Sequence, residues 1–412
     1  MKRRGKKFKS FLVLIFFVVL VSAAIFYVFS GTEYVETPAD TVQTAVGELY
    51  LPATDSNKDI NTTNYFNITL NFSSVVGWSE GKTPAAPEGF IVTKFAGDLI
   101  SPRNIYVAPN GDVFVAEANK EAGGFFDRFT SWLTGDGKSR RIGESAKRIT
   151  MFRDADKDGS YESRSIFLSN LNQPFGMLVI GNYFYVANTD GLWRYPYTGE
   201  AVMTAPGTKI LELPAGGYNN HWTRNIVANR DKTKIYISVG SSSNVGENGA
   251  ENEIRRAGIL EINPDGSGER IYAGGLRNPV GMDWAMGTDM LWTAVNERDG
   301  LGDDLVPDYL TSVQSGGFYG WPETYWGKHP DPRVKDQRPD LVQQAIAPDV
   351  PLGAHTASLG LFSTTEQHSP KNITAAHLSD NTAPGIGRSF QATKSCLYHL
   401  QTVNRQASPK IS

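Results

Sequence analysis

Cysteine is nearly absent: the 412-residue chain has one, Cys396. A single thiol excludes a disulfide framework and any iron–sulfur or multi-cysteine zinc site, since each needs several. Apolar residues at helical spacing are also scarce. Beyond residue 87 almost no stretch carries them over ten residues, which excludes a helical body. Basic clusters are missing from the body as well. The net charge is −3 and six cations (Lys2, Arg3, Arg4, Lys6, Lys7 and Lys9) precede residue 10, so the remainder carries −9. Nucleic acid is thereby excluded as a partner, because its binding rests on clustered Lys and Arg that neutralise phosphates. The composition, 40% hydrophobic and 20% charged, is that of a globular protein.

The basic segment 1–10 precedes an uncharged apolar run, Phe11 to Phe29, close to the roughly twenty residues that span a bilayer as a helix. With positive charge before the run and none directly after it, the expectation is a transmembrane signal anchor over 11–29. The N-terminus would be cytoplasmic and the body periplasmic or extracellular. A cleaved signal peptide is the alternative: Ser22-Ala23-Ala24 offers small residues, although the run is longer than an ordinary signal core. No cysteine lies directly behind the run, which excludes a lipoprotein anchor. Residues 30–86, rich in Thr, Ser, Asn and Pro, read as a spacer with some strand content. Its triplets at Asn61, Asn67 and Asn71 match the glycosylation pattern.

From about Pro87 the chain consists of short apolar stretches divided by Gly, Asn, Asp and Pro, which predicts an all-β fold. Four stretches share one hairpin pattern. Ile105-Tyr106-Val107 turns at Asn110-Gly111 into Val113-Phe114-Val115, and Met177-Leu178-Val179 turns at Gly181-Asn182 into Phe184-Tyr185-Val186. Ile226-Val227 turns at Asp231-Lys232 into Ile235-Tyr236-Ile237, and Met282-Asp283-Trp284 turns at Gly287-Thr288 into Leu291-Trp292-Thr293. Second hairpins lie between them, such as the one turning at Asn263-Pro264-Asp265-Gly266. A two-hairpin unit recurring every fifty to seventy residues is the signature of a β-propeller, whose four-stranded blades bury their faces against one another.

Three motifs in order, Gly275-Leu276-Arg277-Asn278-Pro279-Val280-Gly281-Met282, Asn296 to Tyr309 with its Arg298-Asp299-Gly300-Leu301-Gly302-Asp303-Asp304 core, and Gly316-Gly317-Phe318-Tyr319-Gly320-Trp321-Pro322, resemble the glucose/sorbosone dehydrogenase family. The sorbosone branch is the most similar. The resemblance covers about Pro87 to Leu361 and implies a six-bladed β-propeller over 87–362. It further implies oxidation of an aldose sugar or sugar aldehyde with pyrroloquinoline quinone (PQQ) and calcium (Ca2+), and an electron acceptor that the sequence does not name. The alternative function is a membrane-anchored propeller that binds without turnover, since one fold hosts many chemistries.

Within that resemblance His221 corresponds to the general base. An imidazole titrating near 6.5 suits removal of a hydroxyl proton while hydride leaves to the quinone. Arg277 and Asn278 correspond to the quinone-contacting pair, with Arg224 and Arg298 as further candidates. Three quinone carboxylates call for guanidinium forks and amide donors. Glu297, Asp299, Asp303, Asp304 and Asp308 lie among glycines, a supply of oxygens that suits calcium. The resemblance places an ion at the backbone carbonyls of Asp299 and Gly300, with Asp303 and Asp304 nearby. A second acidic stretch, Asp154-Ala155-Asp156-Lys157-Asp158-Gly159, copies the start of an EF-hand loop but has Ser165 where the bidentate Glu belongs. It reads equally as a hairpin turn.

After Leu361 both the family pattern and the apolar hairpins stop. Codons can be chosen for Asp380 to Arg388 that, read one base earlier, spell Gly-Gln-His-Gly-Ser-Trp-Asn-Arg, a motif of the family. The same shift restores apolar strands across the tail. The expectation is therefore a lost base near Phe362, by sequencing error or true frameshift, with 363–412 out of frame and the last blade disrupted. Open strand edges would follow, and the chain as written would be an inactive product of a dehydrogenase gene.

Overall fold

Each of the four hairpins seeds one sheet in the computed structural model, which describes residues 94–120, 145–363, 375–379 and 397–398. Blade 1 contains β1 (Pro102–Val107), β2 (Val113–Glu117), β3 (Arg148–Arg153) and β4 (Ser163–Leu168) in that spatial order. Blade 2 follows with β5 (Met177–Ile180), β6 (Tyr183–Asn188), β7 (Gly191–Pro196) and β8 (Thr208–Glu212). Blade 3 has β9 (Ile226–Ala228), β10 (Ile235–Val239), β11 (Gly258–Ile262) and β12 (Arg270–Gly274), and blade 4 begins with β13 (Asn278–Trp284), β14 (Leu291–Asn296) and β15 (Pro307–Val313). The two-residue strand β16 (Gly317–Phe318) then returns to pair in parallel with β12. After the small hairpin of β17 (Thr324–Tyr325) and β18 (His329–Pro330) and one short helix, α1 (Pro339–Gln344), β19 (Val350–Ala354) completes blade 4.

A three-stranded sheet ends the described fold: β20 (Ser358–Ser363), β21 (Ala375–Ser379) and β22 (Leu397–Tyr398). The all-β propeller expectation holds, but the expectation of six blades is corrected. Among the described residues there are four complete blades and one partial sheet. The reason lies in the repeat itself, since the chain carries four copies of the hairpin pattern and each nucleates one blade. The apolar run 11–29, the spacer 30–86 and most of the segment 363–412 lie outside the described residues. Among the described residues no helix is long and apolar enough to cross a membrane.

Blades pack through aromatic and aliphatic faces. Phe114, Phe167 and Phe184 meet with ring centroids 4.8 Å apart between blades 1 and 2. Between blades 3 and 4 the fully buried Ile259, Leu291 and Val295 join Tyr236 and Met282. A finer repeat lies at the strand entries. Asn104 in Arg103-Asn104-Ile105 donates its Nδ2 to the Phe175 carbonyl at 3.1 Å, and Asn225 in Arg224-Asn225-Ile226 donates to the Val280 carbonyl at 2.9 Å. The accepting segments are Pro174-Phe175-Gly176-Met177 and Pro279-Val280-Gly281-Met282. Their glycines are required by close approach: a Cβ would lie 2.7 Å from the Ile226 nitrogen at Gly176 and 2.6 Å from the Leu361 nitrogen at Gly281. These contacts bring the loops that precede and follow the inner strands to one end of the blades, where the candidate site forms.

Candidate active site

His221 enters on the loop that leads into β9. Its Nδ1 lies 2.9 Å from the Ser241 carbonyl oxygen and 3.0 Å from the Ser241 hydroxyl, which itself donates to the Ser243 carbonyl at 2.7 Å. Both Ser241 oxygens facing Nδ1 are therefore acceptors, so Nδ1 carries the proton and Nε2 the lone pair. Nε2 meets the Asn220 amide at 3.5 Å, a contact too long to hold that lone pair strongly. Burial, reinforced by the charges of Arg277 and Lys120, holds the ring's pKa well below the ordinary value of 6.5, against the opposing pull of the Ser241 carbonyl and Asp299. The geometry and electrostatics agree on a neutral imidazole with an available basic nitrogen.

Asn278 sits beside it at the start of β13. Its Nδ2 donates to Asn296 Oδ1 at 3.3 Å, and its Oδ1 is buried without a partner. Gly240 keeps the two residues adjacent, because a Cβ there would run into the Asn278 amide oxygen and lie 2.6 Å from the His221 Cβ. A buried orphan amide oxygen on the residue that packs against His221 around Gly240 is a polar feature of a ligand site, since such groups are otherwise paired.

Arg277 is buried and clamped. It donates to the Asn244 carbonyl at 3.1 Å, the Asn244 side chain at 2.8 Å and the Glu297 carbonyl at 2.6 Å, with the Asp299 carboxylate 3.8 Å away. Asn244, which no sequence motif singled out, is the hub of this region. Its side chain also accepts from the Asp299 amide and donates to the Asp299 carbonyl, both at 2.9 Å, and its own carbonyl accepts Trp321 Nε1 at 2.9 Å. The Trp321-Pro322 motif thus serves the site through Asn244.

Arg224 and Arg298 face inward. Arg224 is fully buried and donates to the carbonyls of His221, Thr223 and Pro214, and burial brings its pKa down to about 9. Its place in the Arg-Asn-Ile repeat matches Arg103, whose guanidinium lies 5.4 Å from the Trp222 ring centroid. Arg298 binds Glu297, Asp331 and the carbonyls of Pro322 and Thr324, with no surface exposed. Both guanidinium groups are held by protein acceptors.

The acidic loop divides. Asp299 accepts from His355 Nδ1 at 3.1 Å, while His355 Nε2 faces the Gly302 carbonyl at 3.0 Å. Both ring nitrogens of His355 therefore meet acceptors. Burial alone would lower its pKa, but the Asp299 carboxylate and the Gly302 carbonyl outweigh burial and raise it. Asp308 is buried and pushed up to about 6 by burial, although the Glu297 amide and Thr356 hydroxyl bond to it. Asp303 is half-buried and Asp304 exposed. Among the described residues the one group of three or more carboxylates, imidazoles or thiols within 4.8 Å of one another is Asp154, Asp156, Asp158 and Glu162. There the carboxylates accept amides of their own turn, Asp154 from Asp158 and Gly159 and Glu162 from Ala155. Ser165 points away, to the Ala201 carbonyl.

Comparison with known proteins now decides the family: the TrAA12-like family model matches residues 84–308. The chain belongs to the TrAA12-like family. This membership bears out the resemblance to quinoprotein sugar dehydrogenases. Among solved structures, the holo form of the PQQ domain of pyranose dehydrogenase from Coprinopsis cinerea is 16% identical, with 69% of this chain and 72% of that chain covered and a TM-score of 0.53. The calcium structure of the Trichoderma reesei family AA12 protein is 15% identical over 77% of this chain and 80% of that chain, with a TM-score of 0.56. Both show a shared fold. An uncharacterised protein of Borreliella burgdorferi is 25% identical over 313 residues, covering 74% of this chain and 75% of its own.

The two cofactors of the family resemblance fit this TrAA12-like site differently. PQQ fits, because Arg277 and Lys120 place positive charge around His221 and Asn278 leaves a buried polar atom for a ligand. Calcium at the Asp299 carbonyl does not fit. That oxygen already accepts Asn244 Nδ2 and, at 2.6 Å, Arg333 Nη1, which uses both of its lone pairs. Lys120, Ser241, Asn244, Asp331, Arg333 and His355 were not legible as site residues in the sequence, because they come from four separate segments and share no motif.

Proposed function

We propose that the protein is a quinoprotein oxidoreductase that oxidises an aldose sugar or sugar aldehyde, of the glucose or sorbosone type. The observation that supports this most is the neutral His221, with Nδ1 tied to Ser241 and Nε2 available, packed around Gly240 with Asn278, whose amide oxygen is unpartnered. His221 Nε2 takes the proton of the substrate hydroxyl, and Ser241 holds the ring in the tautomer that can do so. Bound PQQ supplies the two-electron acceptor for the hydride. Lys120 and Arg277 set positive charge against its carboxylates, the Asn278 amide oxygen accepts from an N–H or O–H of the bound ligand, and the inward-facing Arg224 fixes the His221 backbone. The apolar run 11–29 supports attachment to a membrane, with the propeller on the periplasmic or extracellular side and electrons passed on to an acceptor there.

The test is dye reduction by the chain purified with and without the restored reading frame and loaded with PQQ, over a panel of aldoses. Activity that His221→Gln abolishes while the quinone absorbance stays supports the proposal. No quinone binding and no turnover would remove it. A second function, a propeller that binds without turnover, is favoured by one feature. On β1 Ile105 and Val107 are 65% and 60% exposed, an apolar face that a further blade would cover in a closed ring.

A further inference from the structure

Where a divalent cation is expected against the Glu297–Asp308 loop, the chain has an arginine. Arg333 Nη1 donates to the Asp299 carbonyl at 2.6 Å, and Asn244 Nδ2 donates to the same oxygen at 2.9 Å. The guanidinium is held from behind by Asp331, through Nε to Oδ1 at 3.0 Å and Nη2 to Oδ2 at 2.8 Å. Asp331 has no exposed side-chain surface and is shared with Arg298 at 3.0 Å. Such a bidentate, doubly supported fork keeps its place. The space is also closed from the Gly300 side, since a Cβ there would lie 2.9 Å from Arg333 Nη1.

Calcium needs six to eight oxygens. Here the Asp299 carboxylate accepts His355 Nδ1, the Gly302 carbonyl accepts His355 Nε2, and Asp303 and Asp304 join no ligand group of three. An ion at the Asp299 carbonyl would also meet the Arg333 charge at short range, a repulsion that the half-buried setting screens poorly. We infer that the Arg333 guanidinium takes the place of the divalent cation at the Asp299 carbonyl, so that the loop binds no calcium and arginine supplies the positive charge there. The consequence for cofactor binding rests on the proposed quinone function: this site takes its anionic quinone without calcium.

Two measurements on the full chain test this. In the first, calcium uptake is followed by calorimetry in an Asp156→Asn/Asp158→Asn background, which silences the exposed carboxylate cluster. Adding Arg333→Gln should raise calcium affinity at least tenfold, and Arg333→Lys, which keeps the charge, should not. Equal or weaker uptake by the Arg333→Gln chain overturns the inference. In the second, the chain with Arg333 intact is titrated with PQQ in EDTA and in calcium, followed by quinone absorbance. Affinities within twofold are expected, and a tenfold tightening by calcium overturns the inference. This arm stands even if Arg333→Gln fails to fold. Absence of quinone binding in both buffers removes the proposed function, and the calcium titration still decides Arg333.

Discussion

His221 and Ser241 are joined twice, ring Nδ1 lying 2.9 Å from the serine carbonyl and 3.0 Å from its hydroxyl. That double contact dictates which nitrogen can act as a base. His221→Gln keeps a similar shape and loses the basic nitrogen. Turnover should fall by roughly 10²–10⁴-fold, the range of a lost general base, with quinone binding within about twofold of the parent. Steady-state dye reduction and absorbance titration check both.

The titration of His221 has a definite sign. Burial and the neighbouring cations lower its native pKa below 6.5, so the ring stays neutral as pH falls through 6.5. The unfolded chain takes up that proton first, and this group therefore lowers stability as pH drops from 6.5 toward the native value. Assignment of the His221 Cε1 proton by NMR, with His221→Gln as the blank, reads the midpoint directly. A midpoint at or above 6.5 contradicts the account.

Gly240→Ala places a methyl against the Asn278 amide and the His221 Cβ. Overpacking of this kind costs about 1–3 kcal/mol. The expected outcome is a lower urea midpoint together with reduced turnover, because the two site residues are pushed apart. Ala at the exposed turn residue Gly287 serves as the comparison for activity.

Arg298 is a structural cation by its contacts. Arg298→Met leaves Glu297 without its charge partner and removes one of two from Asp331. Removing one member of a buried pair costs about 3–5 kcal/mol. Chemical denaturation should show a loss of that size. A variant of unchanged stability with weaker quinone binding would instead make Arg298 a ligand contact.

The tail after Phe362 is open to a direct check. Resequencing the gene across codons 359–366 should find one further base there. An unchanged reading, with no family motif in a neighbouring frame of the genomic DNA, ends the frameshift hypothesis. With the frame restored, Ile105 and Val107 should lose exposure, measurable as reduced binding of a hydrophobic dye.

Period-two apolar stretches and turn residues such as Asn110-Gly111 determined the hairpins, and their fourfold recurrence determined the blades, because strand pairing and turn geometry are local. The motifs around Arg277 and Arg298, and the loop of His221 ahead of the third hairpin, were legible for the same reason: each is a short run of neighbouring residues. Their spacing left open which of these side chains face a ligand and which face the interior.

Tertiary structure decided that. It turned Arg224 and Arg298 inward, left the Asn278 oxygen open, and brought Asn244, His355 and Arg333 from separate loops onto Asp299. Which donors share one carbonyl depends on how blades pack across tens of residues, and no local spacing encodes that. The sequence by itself therefore determined the strands, the blades and the family. The fold alone decided which charges meet at the site.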